Sequence, residues 1–233
     1  MALPTLSTPT YELTVPSTKK KIKYRPFLVK EEKVLLLALE SEDDKEIANA
    51  MKGLIKACVL TKGIDPDELA TFDVEYIFLN IRGKSIGEDI DVKMICPDDG
   101  TTEVTTKIPI DKIKVRFTKG HTNQIQISDD LWVEMKYPNI DSLAIQEETV
   151  EDTFKLVSKS IKKIYNAEDV WDSSTTTEAE FMTFVESMNS KQFTKIQDFF
   201  TTMPSLKHTV KIRNPNTKVQ SEYTIEGLSN FFI

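Results

Sequence analysis

Alternating apolar and polar residues near the start of the chain predict a β-hairpin. The alternation runs from Tyr11 to Val15, stops at a turn signal in Pro16-Ser17-Thr18, and resumes from Ile22 to Tyr24. A period of two residues places the apolar side chains on one face of a strand. We therefore expect two antiparallel strands before Pro26.

Helical spacing then replaces this alternation. The segment from Leu28 to Leu39 is helical in composition, and its part from Val34 to Leu39 is apolar on every side. This pattern indicates a helix surrounded by protein, either by the rest of this chain or by a partner. A second helix, from Ile47, places Cys58 on its buried face. A third is expected to begin at Asp65-Pro66, where an acidic cap precedes a proline.

Period-two alternation returns between Asp89 and Tyr137 and predicts an antiparallel β region. Helical spacing then recurs in three short segments, which are Phe154–Ile164, Phe181–Met188 and Phe193–Phe200. The chain finally alternates on both sides of a turn at Asn214-Pro215-Asn216, which predicts a closing hairpin.

Helices and hairpins thus occur in separate blocks, which is typical of an α+β fold. We expect an N-terminal hairpin and helices, a central antiparallel β-hairpin region, and C-terminal helices closed by a β-hairpin. The predicted segments are residues 1–87, 88–138 and 139–233. The middle segment is expected to be a metal-free hairpin like that of a zinc ribbon, and the last to pack with the first as one unit.

Charge and composition narrow the functional classes. The chain has 37 acidic and 30 basic residues and a net charge of -7, which disfavours binding to nucleic acids and to anionic membranes. Its longest apolar stretch is far shorter than the roughly 20 residues of a membrane-spanning helix. Residues 1–16 lack the pattern of a secretory signal, and two cysteines, Cys58 and Cys96, fit a reducing compartment. We expect an intracellular protein.

The sequence marks no catalytic or cofactor site. Its two histidines, His121 and His208, stand in a turn and in a strand without a marked second catalytic group. Glycine-rich phosphate-binding motifs are also missing. We therefore predict a protein that is not an enzyme and binds no cofactor. A hydrolase with two convergent carboxylates is a distant alternative, because carboxylates can converge in space from any part of an acidic chain.

One turn resembles half of a zinc site. Cys96-Pro97-Asp98-Asp99-Gly100 has the form of a zinc-ribbon knuckle, with Asp99 in place of the second thiolate. The natural place for a second knuckle, Lys207 to Thr217, contains no cysteine. Four ligands cannot be assembled from these hairpins, and we predict no metal.

A basic cluster runs from Lys19 to Arg25, interleaved with Ile22 and Tyr24. Such a cluster can hold phosphate, which would make nucleic-acid binding an alternative. Lysines also protect the edge of a strand from unwanted pairing, and we favour that interpretation.

Three further segments are distinctive, namely Lys23–Lys33, Glu75–Gly87 and Leu228–Phe232. They resemble segments of the baseplate hub assembly proteins of T4-type contractile-tailed bacteriophages, and they occur in the expected order along nearly the whole chain. Hairpins in some members of that family look like eroded zinc ribbons, and this chain keeps only Cys96.

The resemblance implies a tail assembly chaperone made in the host cytoplasm, which binds other hub or tail assembly proteins. A permanent subunit of the virion baseplate is the alternative, and oligomerisation is left open. Because hot spots favour aromatic residues and arginine, the sequence yields five candidate partner-binding residues, namely Tyr24, Arg25, Arg82, Phe231 and Phe232. Packing in the core is the alternative for each aromatic residue. The Val34 to Leu39 helix is a further candidate surface.

Overall fold

The computed structural model describes residues 6–144 and 149–227, in which the chain forms six α-helices and eleven β-strands. The strands form four small antiparallel sheets. The predicted α+β class, with a hairpin at the start and another near the end, is therefore confirmed.

The chain divides into two compact units. Unit 1 consists of residues 1–116 and 205–233, and unit 2 of residues 117–204. The three segments predicted from the sequence have other boundaries. The change of unit at residue 117 lies inside the predicted β region, and of the predicted last segment only the part from residue 205 joins the N-terminal block.

Unit 1 contains three helices and seven strands within the described residues. The helices are α1 (Val29–Ser41), α2 (Asp44–Cys58) and α3 (Thr71–Ser85). The strands are β1 (Tyr11–Thr14), β2 (Lys21–Tyr24), β3 (Asp89–Ile95), β4 (Glu103–Pro109), β5 (Lys114–Arg116), β10 (Ser205–Arg213) and β11 (Gln220–Glu226). Strands β1 and β2 form the predicted first hairpin, with Leu13 opposite Ile22.

Helix α3 is the most buried helix of unit 1. It buries Phe72, Val74, Ile77, Phe78, Leu79 and Ile81. Near its start, the buried carboxylate of Asp73 accepts hydrogen bonds from the backbone N–H and the hydroxyl of Ser17, in the turn of the first hairpin. These bonds join the hairpin turn to the central helix.

The predicted start of this third helix was wrong. Asp65-Pro66 lies in a turn, where the Glu68 N–H donates to the Asp65 carbonyl, and α3 begins only at Thr71. The acidic residues of the turn are held by α2 instead, because Lys56 Nζ lies 2.6 Å from the Asp67 carboxylate. The Asp65 carboxylate lies 3.4 Å from the same ammonium group.

Two antiparallel sheets complete unit 1. Strands β3 and β4 pair from Asp89 opposite Pro109 to Ile95 opposite Glu103. On β3 and just after it, Ile90, Val92, Met94 and Cys96 are buried, which confirms the face predicted from their spacing. The other sheet has the order β11-β10-β5.

Unit 2 combines one four-stranded sheet with three helices. The strands are β6 (Gln124–Gln126), β7 (Trp132–Met135), β8 (Ile161–Tyr165) and β9 (Val170–Asp172), and they lie in chain order. The helices are α4 (Val150–Lys159), α5 (Glu178–Glu186) and α6 (Ser190–Thr202). The sheet and the helices share a core of Val133, Met135, Val157, Ile161, Phe181, Val185, Ile196 and Phe199. Unit 2 also contains a 3-10 turn, Ile140–Ala144, and another, Ile110–Lys112, lies in unit 1.

The predicted helix from Phe154 to Ile164 is too long. Helix α4 ends at Lys159, and Ile161 and Ile164 belong to β8, where they pair with Met135 and Val133 of β7. Their spacing of three residues fits a helix, but β-branched side chains also suit a strand. Because β8 pairs with β7 on one side and with β9 on the other, this segment forms a strand and not a helix.

Burial of Cys58 leads to a prediction about its reactivity. The thiol has no exposed surface, and burial raises its pKa to about 11. Because the thiolate is the nucleophile, we expect iodoacetamide at pH 8 to leave Cys58 unmodified in the folded protein and to alkylate it after unfolding in guanidinium. Peptide mass spectrometry measures both states, and rapid alkylation of the folded protein would contradict the buried position.

Candidate protein-binding surface

Helix α1 exposes an unusual amount of apolar surface. Val34, Leu36, Leu37 and Leu39 are 56%, 53%, 55% and 44% exposed, whereas Ala38 is the buried residue of the helix. Contiguous exposed apolar residues mark interaction sites more often than single ones do. Of the two alternatives that the sequence left for this helix, the part of the chain that the structure describes does not bear out the first, because these four side chains stay exposed.

A shallow groove lies between α1 and α2. Its volume is about 400 Å³, and it is lined by Val34, Leu37, Ala38, Glu46, Asn49 and Ala50. On the α2 side the lining is mixed, with the small Ala50 beside the polar side chains of Glu46 and Asn49. Val34 and Leu37 line this groove, and together with Leu36 and Leu39 of the same helix they form what we call the α1 surface.

Arg25 fixes the start of α1. Its Nη2 lies 3.1 Å from Glu31 Oε1, and its Nη1 donates to the Pro26 carbonyl at 2.9 Å. Glu31 also accepts a hydrogen bond of 2.6 Å from the N–H of Leu28, at the helix N-terminus. Burial raises the pKa of Glu31, but the hydrogen bonds and the positive charge of Arg25 outweigh it and lower the pKa. The carboxylate is thus held in its charged form.

A second contact joins this start to α3. The N–H of Phe27 donates to Ser85 Oγ at 2.9 Å, and the same hydroxyl donates to the Ile81 carbonyl at 2.7 Å. Two of the segments that carry the family resemblance, Lys23–Lys33 and Glu75–Gly87, therefore meet at this bond. Together they position the α1 surface.

The five candidate residues from the sequence fall in different surroundings. Tyr24 is 2% exposed and its ring centroid lies 5.8 Å from that of Tyr11, so the structure favours core packing for it. Arg25 belongs to the support of α1, and Arg82 is half-buried on α3, where burial lowers its pKa. Phe231 and Phe232 lie outside the described residues.

That candidate list omitted the leucines of the α1 surface. The signal for them was the all-round apolar stretch from Val34 to Leu39, which had already marked the helix as a candidate surface. The list did not include them because it was restricted to aromatic residues and arginine, the residue types that hot spots favour. A helix that is apolar on every side leaves leucines exposed if only one side packs.

The turn resembling a zinc knuckle faces a second turn of the same shape. The Cys96 carbonyl accepts from the Gly100 N–H at 2.9 Å, and the Asn214 carbonyl accepts from the Lys218 N–H at 3.0 Å. Both donors have a φ of 65°, in the left-handed region. Each turn therefore repeats the other's backbone, with ligand-like positions three residues apart at Cys96 and Asp99 and at Asn214 and Thr217.

Hydrogen bonds fill the space between these turns. The buried Asn214 amide donates to Asp99 Oδ2 at 2.8 Å and to Asp98 Oδ2 at 3.1 Å, and the Thr217 hydroxyl also donates to Asp98. The Thr102 hydroxyl and N–H and the Asn214 amide lower the pKa of Asp99. Carboxylate lone pairs that a metal would use are therefore occupied by donors. Among residues 6–144 and 149–227, no group of three or more His, Cys, Asp or Glu side chains is arranged to hold a metal ion.

Both histidines have structural partners. In unit 2, His121 Nδ1 lies 3.0 Å from Thr202 Oγ1, and its Nε2 lies 3.0 Å from the Tyr137 hydroxyl. Burial lowers the pKa of His121. In unit 1, His208 Nδ1 lies 3.2 Å from the Lys112 carbonyl.

The Arg25–Glu31 pair gives a prediction about pH. We expect Glu31→Gln to lower the free energy of unfolding by about 1.5–3 kcal/mol at pH 7, because it removes charged hydrogen bonds. The folded pKa of Glu31 lies below its ordinary value of 4.5, so the contribution of Glu31 is present above pH 4.5 and is lost as pH falls through the folded pKa. Urea denaturation from pH 7 to pH 3 measures the difference from wild type.

Glu32→Gln is the matched control for this prediction. It changes the next residue of α1, outside the hydrogen bonds between Arg25 and Glu31. We expect a small effect that varies little with pH. Equal effects of the two substitutions would show that the Arg25–Glu31 pair does not stabilise the start of α1.

The facing turns give a prediction about stability. We expect Asn214→Ala to cost about 1–3 kcal/mol, because two carboxylates lose a buried donor. Asn216→Ala is the control, since Asn216 is exposed and its side chain makes one hydrogen bond, to Thr102. Urea denaturation compares them, and an Asn214→Ala effect no larger than that of the control would contradict the role of the network.

Comparison with known protein families assigns nearly the whole chain to one family. In the part of the chain that the structure describes, no helix is long and apolar enough to cross a membrane. No curated protein and no solved structure matches the chain. A family model described as T4 bacteriophage base plate protein matches residues 8–233, and it confirms the resemblance seen in the three segments. Membership of that family implies contact with other baseplate proteins. Because the match covers nearly the whole sequence, the chain belongs to the T4 bacteriophage base plate protein family.

Proposed function

We propose that this protein is an assembly factor for the baseplate hub. It binds other hub or tail assembly proteins in the host cytoplasm during tail morphogenesis, and it acts as a chaperone and not as an enzyme. The observation that carries the proposal is the α1 surface, where four large apolar side chains are about half exposed.

The energetics of the α1 surface support binding. Full burial of one Val or Leu side chain contributes about 1.5–3 kcal/mol. Because the four side chains are about half exposed, their burial by a partner offers on the order of 3–6 kcal/mol before the costs of association. In a protein that binds no partner, the same exposed leucines would be unfavourable, because they promote aggregation.

The support of α1 also favours this function. Binding is stronger when a surface is already ordered, because less conformational entropy is lost on association. The bonds of Arg25 with Glu31 and of Phe27 with Ser85 hold the start of the helix before any partner arrives. The α1 surface is therefore ready to bind without folding first.

The side chains whose chemistry would suit catalysis, a histidine and two neighbouring aspartates, take part in hydrogen bonds within the chain. The two nitrogens of His121 lie within hydrogen-bond distance of Thr202 and Tyr137. The neighbouring carboxylates of Asp98 and Asp99 accept bonds from Asn214, and the pKa of Asp99 is lowered, whereas a general acid needs a raised pKa. These contacts support a binding role over a carboxylate-dependent hydrolase.

Co-expression with hub and tail assembly proteins of the same phage tests the proposal. We expect the tagged protein to capture at least one of them or to increase its soluble fraction, and Leu36→Asp/Leu37→Asp to abolish this effect because charge is placed in the apolar surface. Val170→Asp is the control, since Val170 is also exposed but lies on β9 of unit 2. If the wild-type protein neither captures nor solubilises any of them, the proposal is wrong.

Mass spectrometry of washed particles separates an assembly factor from a permanent subunit. Absence of the protein from particles that were assembled in its presence agrees with a transient factor. A stoichiometric signal would instead identify a subunit of the virion baseplate.

A further inference from the structure

We propose that in the free protein the α1 surface is covered by α1 of a second copy. The two helices run antiparallel about a two-fold axis that passes between Leu36 and Leu37. This inference rests on the proposed function, because it names the occupant of the same surface before assembly partners bind.

The exposed charges of α1 change sign along the helix. Lys30 and Lys33 precede the apolar stretch and are exposed, whereas the exposed Glu40 follows it near the end of α1, and the exposed Glu42 and Asp43 lie just beyond the helix. A parallel pair of such helices would bring like charges together. In an antiparallel pair, the positive end of each helix lies beside the negative end of the other, and the helix dipoles are also opposed favourably.

The order of residues is self-complementary about its centre. When residue i of one copy faces residue 73 minus i of the other, Lys33 faces Glu40 and Leu36 faces Leu37. Each of these contacts occurs twice in a two-fold dimer, because residue i contacts j and j contacts i.

Helix geometry places the central residues on one outward side. Positions 33, 36, 37 and 40 are spaced as i, i+3, i+4 and i+7, which lie on the same face of a helix. Ala38, the buried residue of α1, lies nearly opposite them. The face with the complementary pattern is therefore turned away from unit 1's core.

Two acidic residues lie near the start of α1, but both are less exposed than Lys30 and Lys33, because Glu31 is turned toward Arg25 and Glu32 is half-buried. Glu31 is paired with Arg25, and its side chain is 10% exposed. Lys30 Nζ lies 3.5 Å from the same carboxylate, yet its side chain is 75% exposed. Lys30 and Lys33 therefore present positive charge to a second copy.

Sedimentation equilibrium of the full-length protein tests the inference. We expect a reversible dimer whose dissociation constant rises with salt concentration, because exposed ion pairs are screened. Lys33→Glu and Glu40→Lys should each weaken the dimer by about tenfold, since each substitution opposes like charges at two symmetric contacts. The double variant Lys33→Glu/Glu40→Lys should restore the wild-type dissociation constant.

Two further variants test the apolar part of the interface. Leu36→Asp/Leu37→Asp should be monomeric with an unchanged circular dichroism spectrum, because both leucines are exposed in one copy. Val170→Asp on unit 2 should remain as dimeric as the wild type. A dimer that survives the double leucine substitution would overturn the assigned interface.

The outcomes for the two proposals are distinguishable. A wild-type protein that is monomeric at several hundred micromolar, or a charge swap that fails to restore the dimer, overturns the second-copy inference. If that monomer still captures hub proteins through the α1 surface, the proposed function stands and the occupant is another protein. A dimer with the expected charge behaviour that captures no hub protein supports self-association and rejects the assembly role.

Discussion

The Arg25–Glu31 ion pair is the contact on which the candidate surface depends. Leu28, at the N-terminus of α1, has no side-chain oxygen to accept a hydrogen bond from the first turn, and Glu31 instead accepts from the Leu28 N–H. Arg25 holds that carboxylate with two nitrogens and donates to Pro26 as well. A planar guanidinium suits this arrangement, because its donors match the two oxygens of a carboxylate.

This support explains how a leucine-rich helix can stay exposed and still be ordered. Most helices in proteins are stabilised by packing an apolar face, and α1 buries little of its own surface. The Arg25–Glu31 pair and the Phe27–Ser85 bond to the well-buried α3 hold the start of the helix, and α1 also packs against α2. The apolar side chains are thereby left exposed, which agrees with the contact to other baseplate proteins that family membership implies.

The facing turns show how a metal-like framework is held by hydrogen bonds. Two turns with the same backbone present Cys96, Asp99, Asn214 and Thr217 at the spacing of zinc knuckles. The neutral Asn214 amide and Thr217 hydroxyl donate to the carboxylates of Asp99 and Asp98, so hydrogen bonds within the chain stabilise the negative charge. Sequence spacing located both turns, but the contact between them required the folded chain.

By itself the sequence determined the elements whose periodicity is strong and local. The first hairpin, α2, the buried face of β3 and the closing hairpin follow from spacing and turn residues, and three segments identified the family. Tertiary structure decided what depends on neighbours far along the chain. Ile161 and Ile164 belong to a strand because they pair with β7. Helix α3 begins only after the turn whose Asp67 forms an ion pair with Lys56. Tertiary structure also decided that Tyr24 is buried and that Leu36 and Leu37 are exposed, because burial depends on which surfaces meet and periodicity does not specify this.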